Sequence, residues 1–275
     1  MGGILWLASY PKSGNTWMRA FIHNLLRDAD EPVPINELTQ FTIGDTVKSW
    51  YAQAAGRPVT GLSHEEWGRL RPLTHHLFTG ASADTVFVKT HMRLGEAFGA
   101  PLITMECTAG AIYIVRDPRD VAISAAAHFG TDIDGVIALM ENPVAGTPED
   151  DVNAPQYYGT WSAHVESWTM HKHRALIAVR YEDMLEKPLP TFTKVTRFLG
   201  LPAGRARIEK AIRFSSFDVL KAQEQKTGFV ERSRRADAFF RTGRAGQWRE
   251  LLTPEQITRI ETAQATVMRR FGYLR

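Results

Sequence analysis

Ile4-Leu5-Trp6-Leu7-Ala8, running into Ser9-Tyr10-Pro11-Lys12-Ser13-Gly14-Asn15-Thr16-Trp17, is the stretch that decides the fold. Its apolar run has no alternation, the pattern of a strand buried on both faces in a parallel sheet. After it, Trp17, Met18, Phe21 and Leu25 recur on one face of a helix. A strand, a tight turn and a helix in this order make an anion cradle. Backbone N–H groups and the positive helix end face the ligand, and Lys12 adds a mobile charge. Gly14 lets the backbone approach closely. The turn is P-loop-like but not a Walker A loop: G-x-x-x-x-G-K-[ST] occurs nowhere and the lysine precedes the glycine. That counts against an ATP or GTP enzyme.

Working outward, three further apolar runs read as buried parallel strands: Thr85–Val88, Ala111–Val115 and Ala175–Val179. Helical patterns lie between them, including Val121–Phe129. The alternation predicts an α/β fold, an open, mostly parallel sheet flanked by helices, in a single domain over residues 1–275. Each strand ends in polar residues: Lys89-Thr90-His91, Arg116-Asp117 and Arg180-Tyr181-Glu182. Open α/β sheets bind ligands beyond the carboxyl ends of their strands. The four ends are expected to set lysines, a histidine, an arginine and a tyrosine around one crevice suited to a multiply anionic, nucleotide-like ligand.

Composition narrows the classes. With 44% hydrophobic and 23% charged residues, the chain is neither collagen-like nor disordered. Its single cysteine, Cys107, excludes an intramolecular disulfide and a CxxC zinc site. No apolar run is long enough to span a membrane, and the N-terminus lacks a basic start and a small-residue cleavage site. A cytoplasmic protein with no membrane span is the expectation. The net charge is +3, yet Arg205–Arg249 holds twelve Lys/Arg against five Asp/Glu. These basic residues are not interleaved with aromatics along a face, so an anionic small molecule fits better than nucleic acid.

The motifs together resemble the cytosolic-type sulfotransferases, which use 3′-phosphoadenosine 5′-phosphosulfate (PAPS) and release adenosine 3′,5′-bisphosphate. Tyr10–Trp17 is similar to their 5′-phosphosulfate loop. In the family's order follow Lys89-Thr90-His91, Tyr113–Ser124 (YIVRDPRDVAIS), Tyr181-Glu182-Asp183-Met184, Ser215-Ser216-Phe217-Asp218 and Arg241–Trp248 (RTGRAGQW). The resemblance implies that Lys12 meets the bridging oxygen of the leaving phosphate. It implies that Ser13, Gly14, Asn15 and Thr16 hold the 5′-phosphate, His91 is the general base and Lys89 steadies the sulfuryl oxygens. Arg116, Ser124, Arg241, Thr242 and Gly243 would grip the 3′-phosphate, and Trp17, Tyr181 and Phe217 would frame the adenine. No metal is implied.

Three departures stand out. Asn15 replaces a common Thr, Thr242 a common Lys and Gln247 a usual Asp. The short dimer motif of animal relatives is half present: Arg249 and Thr253 fit, Pro254 and Thr258 do not. An oligomer is therefore not expected through that motif.

The remaining histidines read as packing or surface residues. His164 shares a stripe with Trp161 and Trp168, and His75 and His76 are candidates to line an acceptor pocket. Residues 36–80 and 129–160 are expected to shape that pocket, with Trp50, Tyr51, Trp67, Phe78, Phe129, Tyr157 and Tyr158 giving it an apolar, aromatic lining. The expected reaction is sulfuryl transfer to a hydroxyl, with an amine less favoured, of a small hydrophobic acceptor. Glu141–Gln156 reads as a long surface loop, and Lys221–Gly246, basic with Gly hinges, as a cap over the cofactor. Two other functions stay open at this point. One is a kinase-like phosphotransferase, against which the missing Walker A lysine counts. The other is an inactive nucleotide-binding or scaffold protein, against which the intact Lys12, Lys89 and His91 count.

Overall fold

The computed structural model describes residues 2–275. Five strands, β1 (Ile4–Ser9), β2 (Ile43–Gly44), β3 (Val86–Thr90), β4 (Thr108–Val115) and β5 (Leu176–Arg180), form a sheet in the order β2-β3-β1-β4-β5. β1 runs parallel to β3, from Ile4 opposite Val86 to Ala8 opposite Thr90, and β2 runs parallel to β3. Every residue of β1 is buried, as its unbroken apolar run requires. The sequence did not reveal β2, since two residues carry no periodicity. β3 also runs further than its apolar run: Lys89 and Thr90 lie inside it, Lys89 on the half-buried face and Thr90 on the buried one. β4 begins earlier than expected because Gly110 lets its backbone close on Ala175; a Cβ there would sit 2.6 Å from the Ala175 carbonyl oxygen.

The helices that position functional residues are α1 (Asn15–Arg27), α2 (Lys48–Ala55), α3 (His64–Thr79), α4 (Pro118–Phe129), α5 (Trp161–Thr169), α6 (Tyr181–Glu186), α7 (Phe217–Thr227) and α8 (Pro254–Arg270). The described residues group into two compact units. The first gathers residues up to Tyr10, Thr42–Tyr113 and Leu139–Leu176; the second gathers Pro11–Phe41, Ile114–Ala138 and Ile177–Arg275.

The first unit is centred on large buried aromatics, among them Trp6, Tyr51, Trp67, Phe78, Tyr113 and Trp161. Its α3 starts on a capping box in which the Ser63 side chain and Glu66 satisfy each other's backbone N–H groups. The segment expected as one long loop contains a short antiparallel pair, Gly146 opposite Tyr157 and Thr147 opposite Gln156. It is further tied down by Glu149, which accepts from the Gly61 amide at 2.8 Å.

In the second unit Asp117 caps α4, with Pro118 opening the helix where no N–H is needed. An apolar cluster of Ala20, Ile35, Leu38, Leu220, Phe229 and Phe240 takes in Trp17, Phe217 and Phe239 at its edge.

Candidate functional site

The loop after β1 belongs to the second unit and is shaped by its backbone. Lys12 has φ 66° and Gly14 φ 106°, both left-handed, so the chain curls back before α1 begins. A left-handed non-glycine costs about 1 kcal/mol, strain typical of ligand clamps. The first α1 hydrogen bond runs from the Met18 amide to the Gly14 carbonyl at 3.2 Å. The amides of Asn15, Thr16 and Trp17 therefore have no acceptor within the helix. Gly14 is required twice over: besides its φ, a Cβ would lie 2.7 Å from the Tyr181 ring. Around the loop three buried donors complete no hydrogen bond: Ser13 Oγ, Trp17 Nε1 and Arg116 Nε. Buried polar groups are normally satisfied. These orphaned donors, with the helix amides, fit an anionic nucleotide.

Arg116 lies at the centre of this half. Its Nη1 donates to the Lys12 carbonyl at 3.1 Å and Nη2 to the Arg244 carbonyl at 3.3 Å, while the guanidinium stacks 4.3 Å over Tyr181. It thus ties the loop to the basic C-terminal segment. The Trp17 and Tyr181 rings meet edge-on at 5.7 Å, so two of the three residues expected at the adenine are together. The third, Phe217, packs against Gly243, where a Cβ would come within 2.2 Å of its ring. Ser124 is half-buried on α4. Arg241 and Thr242 are exposed.

The basic cap is pinned at several points within this unit. Glu224 on α7 accepts from the Phe239 and Phe240 amides at 2.7 and 2.9 Å. Arg19 pairs with Glu231 at 2.7 Å. Asp120 on α4 accepts from the Gly246 amide at 2.6 Å and the Trp248 amide at 3.1 Å. Lys12 Nζ stands 4.0 Å over the Phe239 ring, so this segment reaches the loop after β1 itself. Sequence reasoning found this segment by its arginines and glycines but missed Glu224 and Asp120, whose partners are backbone amides.

A separate cluster lies in the first unit, after β3. His91 Nδ1 is 2.8 Å from the Ser9 carbonyl oxygen. A carbonyl can only accept, so Nδ1 carries the proton and Nε2 is the basic nitrogen. The backbone of the same residue is held from α5: His164 Nε2 donates to the His91 carbonyl at 3.0 Å, while Tyr113 O–H donates to His164 Nδ1 at 2.9 Å. Trp168 Nε1 adds a bond to the Met92 carbonyl at 3.0 Å. Burial pushes His164 down to about 4, which keeps it neutral, and the His91 carbonyl fixes its proton on Nε2. The sequence marked His164 as a packing residue; it is one, and it also fixes the backbone of the candidate base.

Beside His91, Thr90 donates its hydroxyl to Asp45, whose amide bonds the Lys89 carbonyl at 3.1 Å. Burial pushes the Asp45 carboxyl up to about 6, against the Thr90 hydrogen bond and the charges of Arg71 and Lys89.

The expected acceptor lining needs correcting. Tyr51, Trp67, Phe78 and Tyr158 are 0–2% exposed, core walls rather than open surfaces, while Trp50, Phe129 and Tyr157 are half-buried. Some pack on one another: Tyr51 meets Trp67 and Trp50 meets Phe78, each edge-on at 5.3 Å. His75 is a core residue too: it is hydrogen-bonded to the Thr104 hydroxyl at 2.8 Å and pushed down to about 3 by burial. His76 is exposed and bonds the Pro72 carbonyl within its own helix. Cys107 is a buried thiol. Among the described residues no group of three or more His, Cys, Asp or Glu side chains could hold a metal ion, and no helix is long and apolar enough to cross a membrane.

The chain is similar to known proteins along nearly its whole length. The chain is 26% identical to cytosolic sulfotransferase 16 of Arabidopsis thaliana, over 93% of this chain and 73% of that protein. Its fold is similar to mouse sulfotransferase SULT7A1 complexed with PAP, with TM-score 0.65, 21% identity, and coverage of 97% of this chain and 84% of the other. It is also similar to retinol dehydratase in a complex with retinol and PAP, with TM-score 0.67, 19% identity, and coverage of 96% and 81%. Residues 4–272 match the sulfotransferase domain, so nearly the whole chain is accounted for and it belongs to that family.

Proposed function

We propose that this sulfotransferase uses PAPS as donor and the hydroxyl of a small molecule as acceptor, with His91 as general base. PAPS, when bound, supplies an activated sulfuryl group and departs as adenosine 3′,5′-bisphosphate. The loop from Lys12 to Thr16 holds the 5′-phosphate end through the α1 amides and the Ser13 and Thr16 hydroxyls. Lys12 meets charge as it develops on the leaving oxygen, a contribution selective for the transition state. Arg116, with Ser124, Arg241, Thr242 and Gly243, binds the 3′-phosphate. Trp17, Tyr181 and Phe217 contact the adenine. Lys89 steadies the sulfuryl oxygens.

The observation that carries the reading is the His91 tautomer. The Ser9 carbonyl at 2.8 Å fixes the proton on Nδ1, leaving Nε2 to take the proton of an acceptor hydroxyl. A nucleotide-binding scaffold has no use for a base oriented in this way. An intracellular, cytosolic enzyme fits the names of its relatives.

Calorimetric titration with adenosine 3′,5′-bisphosphate, with AMP as control, tests the donor assignment. Two or more charge-assisted bonds to the 3′-phosphate should give the bisphosphate an advantage of about 30-fold or more. Equal affinity for the two nucleotides would refute it.

A further inference from the structure

Asp45 is the first residue beyond β2 and is only 4% exposed. A buried carboxylate is costly unless it is hydrogen-bonded and balanced by charge. Asp117, Asp120 and Glu224 meet that need with an arginine or with amides: Asp117 with Arg119, Asp120 with the Gly246 and Trp248 amides, Glu224 with the Phe239 and Phe240 amides. Asp45 instead takes the hydroxyl of Thr90, the residue immediately before His91.

Its grip spans the residues on both sides of His91. Gly44 stands opposite Lys89 in the β2–β3 ladder, and the Asp45 amide donates to the Lys89 carbonyl at 3.1 Å. The Asp45 carboxylate accepts from Thr90, which is fully buried. A hydroxyl has one proton and two acceptor sites. Giving its proton to Asp45 leaves Thr90 Oγ1 to accept the Met92 amide at 2.9 Å. Residues 89, 90 and 92 are thus held from Asp45, and between them His91 sets its ring against the Ser9 carbonyl. Arg71 on α3, Lys89 on β3 and the phenols of Tyr51 on α2 and Tyr158 are the charged and titratable groups that face this carboxyl.

We propose that Asp45, in its ionised form, is a positioning residue for the candidate base, acting through Thr90 to set the turn from which His91 works. The inference rests on the sulfotransferase reading and adds a residue outside both the nucleotide set and the base itself. A proton on the carboxyl makes it a donor as well as an acceptor, so the direction of the Thr90 proton is no longer fixed. Burial pushes this carboxyl up to about 6, so the change falls within the working range of a histidine base.

The experiment measures kcat of the full chain with saturating PAPS from pH 5 to pH 8. The acceptors are a panel of neutral phenols and primary alcohols, 4-ethylphenol first, which keep their own protons throughout. Asp45→Asn should lower kcat by about 10-fold at pH 7.5, as a modest misplacement of the base does, with bisphosphate affinity by calorimetry unchanged. On acidification the wild type comes to resemble the variant. The ratio of the two should shrink to about 2 at pH 5, where about nine in ten Asp45 carboxyls carry a proton. Thr90→Val should lose as much or more, and Thr90→Ser should restore most of the rate. Asp45→Asn added to Thr90→Val should bring no further loss, because the two act as one unit.

A carboxylate needed only for folding would lower the thermal midpoint and leave kcat of the folded enzyme and its pH profile unchanged, which overturns the proposal. Additive losses in the double variant overturn it too. If Asp45→Asn does not fold, Thr90→Ser and the wild-type acid limb decide. That limb must be steeper than one proton near pH 6, and a one-proton limb throughout overturns the proposal. His91→Ala separates the two levels. A His91→Ala enzyme as active as the wild type, or a wild type that binds bisphosphate and transfers to no acceptor, overturns the base assignment and this inference with it. Inactive His91→Ala beside an unimpaired Asp45→Asn overturns the positioning role alone.

Discussion

The loop after β1 and the end of β3 both place polar residues at the carboxyl end of a strand, yet they are built by opposite means. The loop is fixed by backbone conformation, with left-handed Lys12 and Gly14 just before α1. His91 is fixed by side chains and carbonyls distant in sequence: the Ser9 carbonyl on its ring, and His164 and Trp168 on its backbone and the next residue's. Local backbone geometry is written in a handful of consecutive residues. A support assembled across 73 positions, as between His91 and His164, is not.

Four changes sharpen this contrast, in decreasing order of expected effect. Lys12→Met should lower turnover by about 100- to 1,000-fold, the range for removing one preorganised electrophilic group, and should weaken bisphosphate binding as well. Steady-state kinetics and calorimetry read the two effects separately; intact turnover would remove Lys12 from the mechanism. His164→Phe should lower kcat by about 10-fold by loosening the His91 backbone, with bisphosphate affinity unchanged. A matching loss of nucleotide affinity would mean that the variant acts on global stability and not on the base. Glu224→Gln halves the acceptor strength under the Phe239 and Phe240 amides and should weaken bisphosphate binding by about 3- to 5-fold. Limited proteolysis at Arg232, Arg234 and Arg235 should speed up in that variant; an unchanged cleavage rate would argue against Glu224 as the cap's fastening.

The smallest effect concerns pH. Burial holds His75 and His164 at about 3 and about 4, so the unfolded chain binds two more protons there as pH falls below its ordinary histidine range. Asp45, pushed up to about 6, acts in the opposite sense, because the native state keeps a proton that the unfolded chain loses above about pH 4. Two against one leaves about one proton in favour of the unfolded state. These three groups together then make stability fall as pH drops from about 6 to 4.5. Urea midpoints at pH 7 and pH 5 measure it, and a rise in stability on acidification would mean that the histidines are not held neutral.

This difference in construction also explains what the sequence could and could not tell. The four long strands, the P-loop-like turn and the run of motifs through Trp248 were legible because each is local. All thirteen residues assigned to the nucleotide fall within one compact unit. The short edge strand β2 escaped because two residues make no pattern. Asp120 and Glu224 escaped because their partners are main-chain amides, which any sequence supplies. Of the aromatic residues expected to line a pocket, Tyr51, Trp67, Phe78 and Tyr158 are core, since apolar character alone does not report the presence of a cavity.

The central claim is that His91 serves the chemistry while the loop half serves the nucleotide. The most direct test measures single-turnover transfer of labelled sulfuryl from PAPS to a phenolic acceptor, comparing the wild type with His91→Ala at nucleotide concentrations that saturate both. The expected result is a loss of about 1,000-fold in the transfer rate, within the range for a general base, with bisphosphate affinity unchanged. A His91→Ala variant that transfers at a rate near the wild type's would contradict the account.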